Sequence, residues 1–175
     1  MSDPLVGILV ESKTDLPVME QASRQLEDLG IAHTVDVMSA HRNPDAVREF
    51  ASGAASAGYE VIIAGAGRAA HLPGVVAAHT PLPVIGVPCL SDHLGGADAL
   101  YSMVQMPLGV PVATVGLDSA RNAAILAAQI LAAGDPDIAA KVRELREERS
   151  QKDREHREVL TRDGDTGGFG FQAPR

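Results

Sequence analysis

The run Ser39-Ala40-His41-Arg42-Asn43-Pro44-Asp45 places a proton-transfer group directly beside a fixed cation. An imidazole titrates near neutral pH, while a guanidinium stays charged and grips a phosphate or carboxylate with a planar fork of N–H donors. The small residues Ser39 and Ala40 leave room for a ligand next to the pair. Asn43 and Pro44 have a sufficient structural role as the cap and first residue of a helix. A loop histidine alone is usually polar surface, so the weight lies on its pairing with Arg42. Together they fit the handling of a small anionic substrate.

Three other segments carry residue types that can meet such a substrate. Glu11-Ser12-Lys13-Thr14-Asp15 offers hydroxyls and the free N–H groups of a helix start, which bind phosphate. Taken alone it reads first as an ordinary Ser/Thr/Asp cap with an exposed lysine, because such caps are common. Ala64-Gly65-Ala66-Gly67-Arg68-Ala69-Ala70-His71-Leu72-Pro73-Gly74 holds glycines that let backbone approach a ligand closely, and a second histidine. It is not a dinucleotide fingerprint, because the third glycine is missing and the run follows the third strand rather than the first. Read plainly, it is a tight turn with a surface His. In the stretch from Leu100 to Pro111, Met103, Val104 and Met106 read as core, and Pro107, Gly109 and Pro111 make a stiff lead-in to a strand.

The elements that must position these residues are legible from apolar patterning. Leu5–Val10 reads as a fully buried strand. Asp15 is placed to cap the helix after it, with Pro17 in the first turn, apolar residues from Val18 to Leu29 at helical spacing, and Gly30 as the stop. Ala32–Met38 reads as a second strand, followed by a helix from Pro44 to about Ser56. Val61–Ala64 is a third strand ending in Gly65-Ala66-Gly67, with a short helix near His71–Ala78. Val84–Val87 and Val112–Val115 are the fourth and fifth strands, with helix over Ala97–Val104 between them, and Ser119–Ala133 is an Ala-rich helix with Asp118 as its expected cap. This alternation predicts an α/β fold. Its three layers are a mainly parallel, doubly wound five-stranded sheet, flavodoxin-like in plan, with helices on both faces. In such sheets ligands lie beyond the carboxyl ends of the strands, so the loops around Ser12, His41 and Gly65 are expected to converge.

Length and charge narrow the function classes. The 175 residues suit one domain with a real core. The net charge of −8 argues against sequence-independent nucleic-acid binding. Cys89 is the single cysteine, no metal-type Cys/His spacing occurs, and no apolar run reaches membrane-spanning length. A soluble cytoplasmic protein is the expectation. Before residue 141 there are six Lys and Arg against fifteen acids, and three of the six, Lys13, Arg42 and Arg68, follow apolar strands. That distribution fits an anion site on an acidic body. The expected domain is residues 1–134. Asp135-Pro136 then opens a last helix to about Leu160, densely charged from Lys141 to Glu158 and too poor in apolar positions to bury itself on its own domain. It reads either as a solvated helix held by i,i+4 pairs or as one reaching onto a neighbouring subunit. Residues 161–175 read as a flexible tail.

Taken together, the spaced segments resemble the class I N5-carboxyaminoimidazole ribonucleotide mutases of purine biosynthesis. Ser12-Lys13-Thr14-Asp15 is similar to that family's phosphate loop, Ser39-Ala40-His41-Arg42 followed by Pro44 to its catalytic loop, and Ala64–Gly67 with Ala69–Gly74 to its third loop. Tyr101-Ser102, Val104–Pro107 and Asn122–Ala124 look familial too, so the likeness runs from about residue 5 to 134. The His71-Leu72-Pro73-Gly74 form of the third loop looks like class I rather than the class that carboxylates with free CO2. The resemblance implies transfer of a carboxylate from an exocyclic nitrogen to ring carbon 4 of an aminoimidazole ribonucleotide, without metal, ATP or organic cofactor. It implies His41 as the acid/base with His71 secondary, Ser12 and Arg42 on the 5′-phosphate, Asp15 on the ribose, and the Ala64–Gly67 backbone along the base. It also implies a homo-octamer whose last helix packs on neighbours. Two other readings share the scaffold: a paralogous enzyme acting on another small heterocycle or nucleotide, and a non-catalytic nucleotide-binding protein.

The chain departs from the family pattern twice. Glu11 and Arg68 stand where the family usually has glycine. A carboxylate 4 Å from a phosphate is repelled by about 1–4 kcal/mol, depending on screening. Glu11 is therefore expected to pair with a cation, Arg68 or Lys13, and to reshape the mouth of the site.

Overall fold

The computed structural model describes residues 3–162. In chain order the elements are β1 (Val6–Val10), α1 (Leu16–Asp28), β2 (His33–Val37), α2 (Pro44–Gly53), β3 (Val61–Gly67), α3 (Leu72–His79), β4 (Val84–Cys89), α4 (Ala97–Val104), β5 (Ala113–Thr114), α5 (Ala120–Leu131) and α6 (Pro136–Arg162). The strands form one parallel sheet in the order β2-β1-β3-β4-β5. The chain leaves β1 for β2 on one side and returns to β3 on the other. The crevice beyond β1 and β3 is therefore the topological switch point, where doubly wound folds bind ligands.

Strand periodicity divides the core in two. Val6, Ile8, Val10, Ile63, Ile85 and Val87 point to the face covered by α1 and α5, against Met19, Leu26 and the small residues Ala120, Ala123, Ala124 and Ala127. Leu9, Ile62 and Ala64 point to the opposite face, against Val47 and Ala51 of α2, Leu72 and Val76 of α3, and Ala99 and Met103 of α4. The alanine-rich α5 lets a helix lie close over a sheet built almost without aromatics. The first turns of α6 pack Ile138 and Val142 onto the α1/α5 face. From Arg146 to Arg157 every side chain of α6 is exposed.

Several local expectations are corrected by long-range contacts. The glycines of the third loop belong to β3, which runs on to Gly67 because Gly65, Ala66 and Gly67 pair with Val87, Pro88 and Cys89. A Cβ at Gly65 would meet the Met19 thioether packed over it, and Met19 would have to shift. The fifth strand shrinks to two residues at the sheet edge, and α2 ends at Gly53 before a separate 3-10 turn, Ala55–Ala57. Asn43 caps α2 as expected, its Oδ1 accepting from Ala46 N at 3.4 Å. Asp135 caps α6 by accepting from Asp137 N and Ile138 N. Asp15 makes no side-chain cap bond to α1. Asp118 is not the cap of α5 either: its Oδ1 accepts from Leu90 N at 2.8 Å, tying down the loop after β4. Of the expected tail, residues 161 and 162 continue α6, and 163–175 lie outside the described residues. Among the described residues no helix is long and apolar enough to cross a membrane.

Candidate active site

The carboxyl ends of β1, β2, β3 and β4 open onto one cleft of about 600 Å³. Glu11, Ser12, Thr14 and Asp15 enter it from β1, His41 and Arg42 from the loop after β2, Gly67, Arg68 and Ala69 from the end of β3, and Leu90, Ser91 and Asp92 from the loop after β4. An adjoining hollow of about 320 Å³ is walled by Ser12, Lys13, Ser39 and Arg42. No carboxylate lies within ion-pair distance of Lys13, Arg42 or Arg68 among the described residues. The three cations singled out in the sequence therefore leave their charge available to a ligand at the mouth of the sheet.

A line of polar side chains runs from the end of β1 to the start of α3. Glu11 is largely buried and accepts three hydrogen bonds: from Ser39 Oγ at 2.5 Å, from Ala40 N at 3.1 Å and from His41 Nδ1 at 3.3 Å. Ser39 Oγ in turn accepts from Arg42 N at 3.2 Å. On the far side of the His41 ring, Nε2 lies 2.8 Å from Nδ1 of His71. The expected pairing of Glu11 with Arg68 or Lys13 is thus corrected: its partner is His41, through a hydrogen bond. The cause is sheet geometry. Val10 pairs with Val37, and Met38 N donates to Val10 O, so the residues that follow β2 must arrive beside the side chain that follows β1.

The remaining candidates divide by position. Ser12, Asp15, His41, Arg42 and Gly67 line the cleft, Ser39 walls the adjoining hollow, Ala40 supplies a backbone donor, and His71 stands behind His41. Ala64, Gly65, Ala66 and Leu72 are buried and are not among the residues that line the cleft. Ser91 and Asp92 were not singled out in the sequence. The signal for them was the polar run Ser91-Asp92-His93 immediately after a buried strand.

Burial and the neighbouring Glu11 charge push the carboxyl of Asp15 above its ordinary value, against weaker opposing bonds from the Gly67 backbone and the Thr14 side chain. The native state then holds the Asp15 proton to higher pH than the unfolded chain, so stability falls as pH rises from about 3.8 through the native value. Asp15→Asn removes that fall. Its gain in urea midpoint over the parent protein is expected to grow as pH is raised through this window, and a gain that shrinks instead contradicts the assignment. Burial, followed by the charges of Asp15 and Asp118, pushes the Cys89 thiol up to about 12. It remains a thiol at neutral pH and is not a nucleophile.

Arg68 adopts φ of 57° without being glycine. The left-handed region crowds Cβ against the following carbonyl. Arg68→Gly is expected to raise stability by about 0.5–1 kcal/mol after allowing for the greater freedom of glycine in the unfolded chain. Urea titration at unchanged m-value checks this; a lowered midpoint refutes it.

A profile of the AIR carboxylase family matches residues 5–152. The chain belongs to the AIR carboxylase family. Among its relatives, the N5-carboxyaminoimidazole ribonucleotide mutase of Thermotoga maritima is 55% identical over 157 residues, 90% of this chain and 88% of that protein. The mutase of Pyrococcus horikoshii is 52% identical over 149 residues, 85% of this chain and 84% of that protein. The crystal structure of Treponema denticola PurE superposes with a TM-score of 0.79 at 30% identity, covering 94% of this chain and 99% of that one. The AIR carboxylase fold is thus shared along nearly the whole described chain, and Glu11 and Arg68 lie inside the matched region.

Proposed function

We propose that the chain is an N5-carboxyaminoimidazole ribonucleotide mutase of purine biosynthesis. The observation that carries this reading is near-full-length identity of 52–55% to mutases. The site supports it: an imidazole pair, His41 and His71, stands at the switch point beside Lys13, Arg42 and Arg68, which make no ion pair among the described residues.

His41 serves as acid and then base. It gives a proton to the exocyclic nitrogen as the N–CO2 bond breaks and the bonding electrons return to that nitrogen. Ring carbon 4 attacks the released CO2 to form the new C–C bond. The proton on carbon 4 then goes to His41, which ends the turnover as it began, so substrate and product are isomers. Holding CO2 against the ring depends on proximity and on excluding water. Ser12 and Arg42 hold the 5′-phosphate, Asp15 meets the ribose hydroxyls, and the end of β3 lies along the base.

The same reading makes the enzyme cytoplasmic and homo-octameric, with residues 1–134 as the catalytic domain and 135–160 as the assembly helix. The exposed, charged length of α6 from Arg146 to Arg157 supports that assembly, because every one of these side chains is exposed. The function is tested by mixing purified protein with the carboxyamino ribonucleotide, made in situ, and following the ring-carboxylated product. Acceleration over buffer is expected, and its absence removes the reading.

A further inference from the structure

The Glu11 carboxylate stands where the resembling family usually has glycine, and its three hydrogen bonds converge on the loop that carries His41. We propose that Glu11 is a positioning residue for His41: by accepting the Nδ1 proton it holds the imidazole in one tautomer and makes Nε2 the atom that exchanges protons, with His71 as its partner. The proposal rests on the acid/base role given to His41 above.

The hydrogen bonds around Glu11 leave one arrangement of protons. Ser39 Oγ accepts from Arg42 N at 3.2 Å, so its own proton is directed at Glu11 Oε1. Ala40 N–H can only donate, and it meets Oε2 at 3.1 Å. Both carboxylate oxygens are therefore acceptors, and the group facing Oε1 at 3.3 Å, His41 Nδ1, supplies the third proton. The His41 side chain is 48% exposed but that of Glu11 only 10%. The ring is open to a ligand while the carboxylate has little access to water in place of these donors. A carboxylate behind an imidazole fixes which nitrogen faces the reaction and stabilises the imidazolium when it forms.

The arrangement extends to His71. When His41 is neutral with its proton on Nδ1, its Nε2 is an acceptor and must take the Nδ1 proton of His71 across 2.8 Å. When His41 is an imidazolium, Nε2–H becomes the donor and His71 Nδ1 must be the acceptor. Each gain or loss of a proton at His41 thus reverses the tautomer of His71. With Glu11 fixed at one end, the two rings act as one proton-storing unit and not as two separate histidines.

Glu11→Gln keeps the shape and inverts the demand. The amide oxygen must stay on Ala40 N–H, since the opposite orientation sets two N–H groups face to face. The amide NH2 then points at Ser39 and at His41 Nδ1, and calls for a lone pair there. Glu11→Gly removes the acceptor altogether and guards against a packing fault peculiar to the Gln variant.

The test is solid-state 15N NMR on histidine-labelled full-length protein, with the neutral His41 signals assigned by their loss in His41→Asn, alongside steady-state kinetics on the carboxyamino ribonucleotide. In the parent protein the His41 proton is expected on Nδ1, and in both variants on Nε2. The expected kinetic effect is a fall in kcat of about tenfold, smaller than the 10²- to 10⁴-fold that a lost acid–base group costs because His41 itself remains, with KM changed less than threefold. A His41 tautomer that is the same in parent and variants overturns the proposal. So does a variant whose tautomer moves while kcat stays at the parent level. If the parent protein shows no mutase turnover, it is the functional reading that fails, and the tautomer measurement on the unliganded protein still decides the place of Glu11.

Discussion

His41→Asn is expected to lower kcat by about 10²- to 10⁴-fold while leaving the urea midpoint nearly unchanged. The loss is large because, among the described residues that line the cleft, His41 is the one imidazole. Asp15 can supply neither role in full: although raised, its carboxyl is held there by burial and by Glu11, on the β1 side of the cleft. Cys89 is locked as a thiol. His71 touches His41 rather than standing in its place. The fold survives because the ring is half exposed and contributes little to either core cluster. The asparagine amide can still donate to Glu11, so the buried carboxylate keeps a partner. Residual turnover above buffer measures what holding CO2 beside the ring contributes without proton transfer. Undiminished turnover removes His41 from the mechanism; a collapsed urea midpoint makes it a structural residue.

Arg42→Ala is expected to raise KM for the ribonucleotide by about 10- to 100-fold with a much smaller change in kcat, the size of one or two charge-assisted hydrogen bonds. The chain carries a net charge of −8, so a doubly charged phosphate approaches against an unfavourable mean field. Lys13, Arg42 and Arg68 reverse that field locally, and Arg42 is the one that borders both the main cleft and the adjoining hollow. Among the described residues its guanidinium has no carboxylate within ion-pair distance, so no ion pair among them is broken to release it. Arg42→Lys is expected to recover part of the loss, since it restores the charge but not the planar fork. Inhibition by inorganic phosphate weakens in parallel if the contact is to phosphate. A loss confined to kcat, with KM unmoved, places Arg42 at the reacting centre instead.

Local chemistry was legible wherever it was decided locally. Asn43-Pro44 and Asp135-Pro136 start their helices as read, because a short side chain reaching an N–H two or three residues on needs nothing from the rest of the chain. Asp15 and Asp118 have the same residue type in the same kind of place and do not cap. Each is drawn into the loops at the strand ends, Asp118 by Leu90 N and Asp15 into the cleft beside Glu11 and Gly67. In sequence the Gly65-Ala66-Gly67 run reads as a tight turn at the end of the third strand. Packing of Met19 over Gly65 and pairing with β4 keep it in the sheet.

Alternation of apolar runs with helical spacing was enough to determine the α/β class, the order of elements, and the placing of Ser12, His41, Arg42 and Gly67 at the carboxyl ends of neighbouring strands. These follow from periodicity and from chain connectivity, both local properties. The partner of Glu11 was decided only by the tertiary structure. In sequence His41 is thirty residues away and Lys13 is two, yet the parallel register of β1 and β2 delivers Ser39, Ala40 and His41 to the carboxylate, and neither Lys13 nor Arg68 pairs with it. A charge on a buried strand end takes the partner that the neighbouring strand sets against it, and that choice depends on register, which residue types alone do not encode.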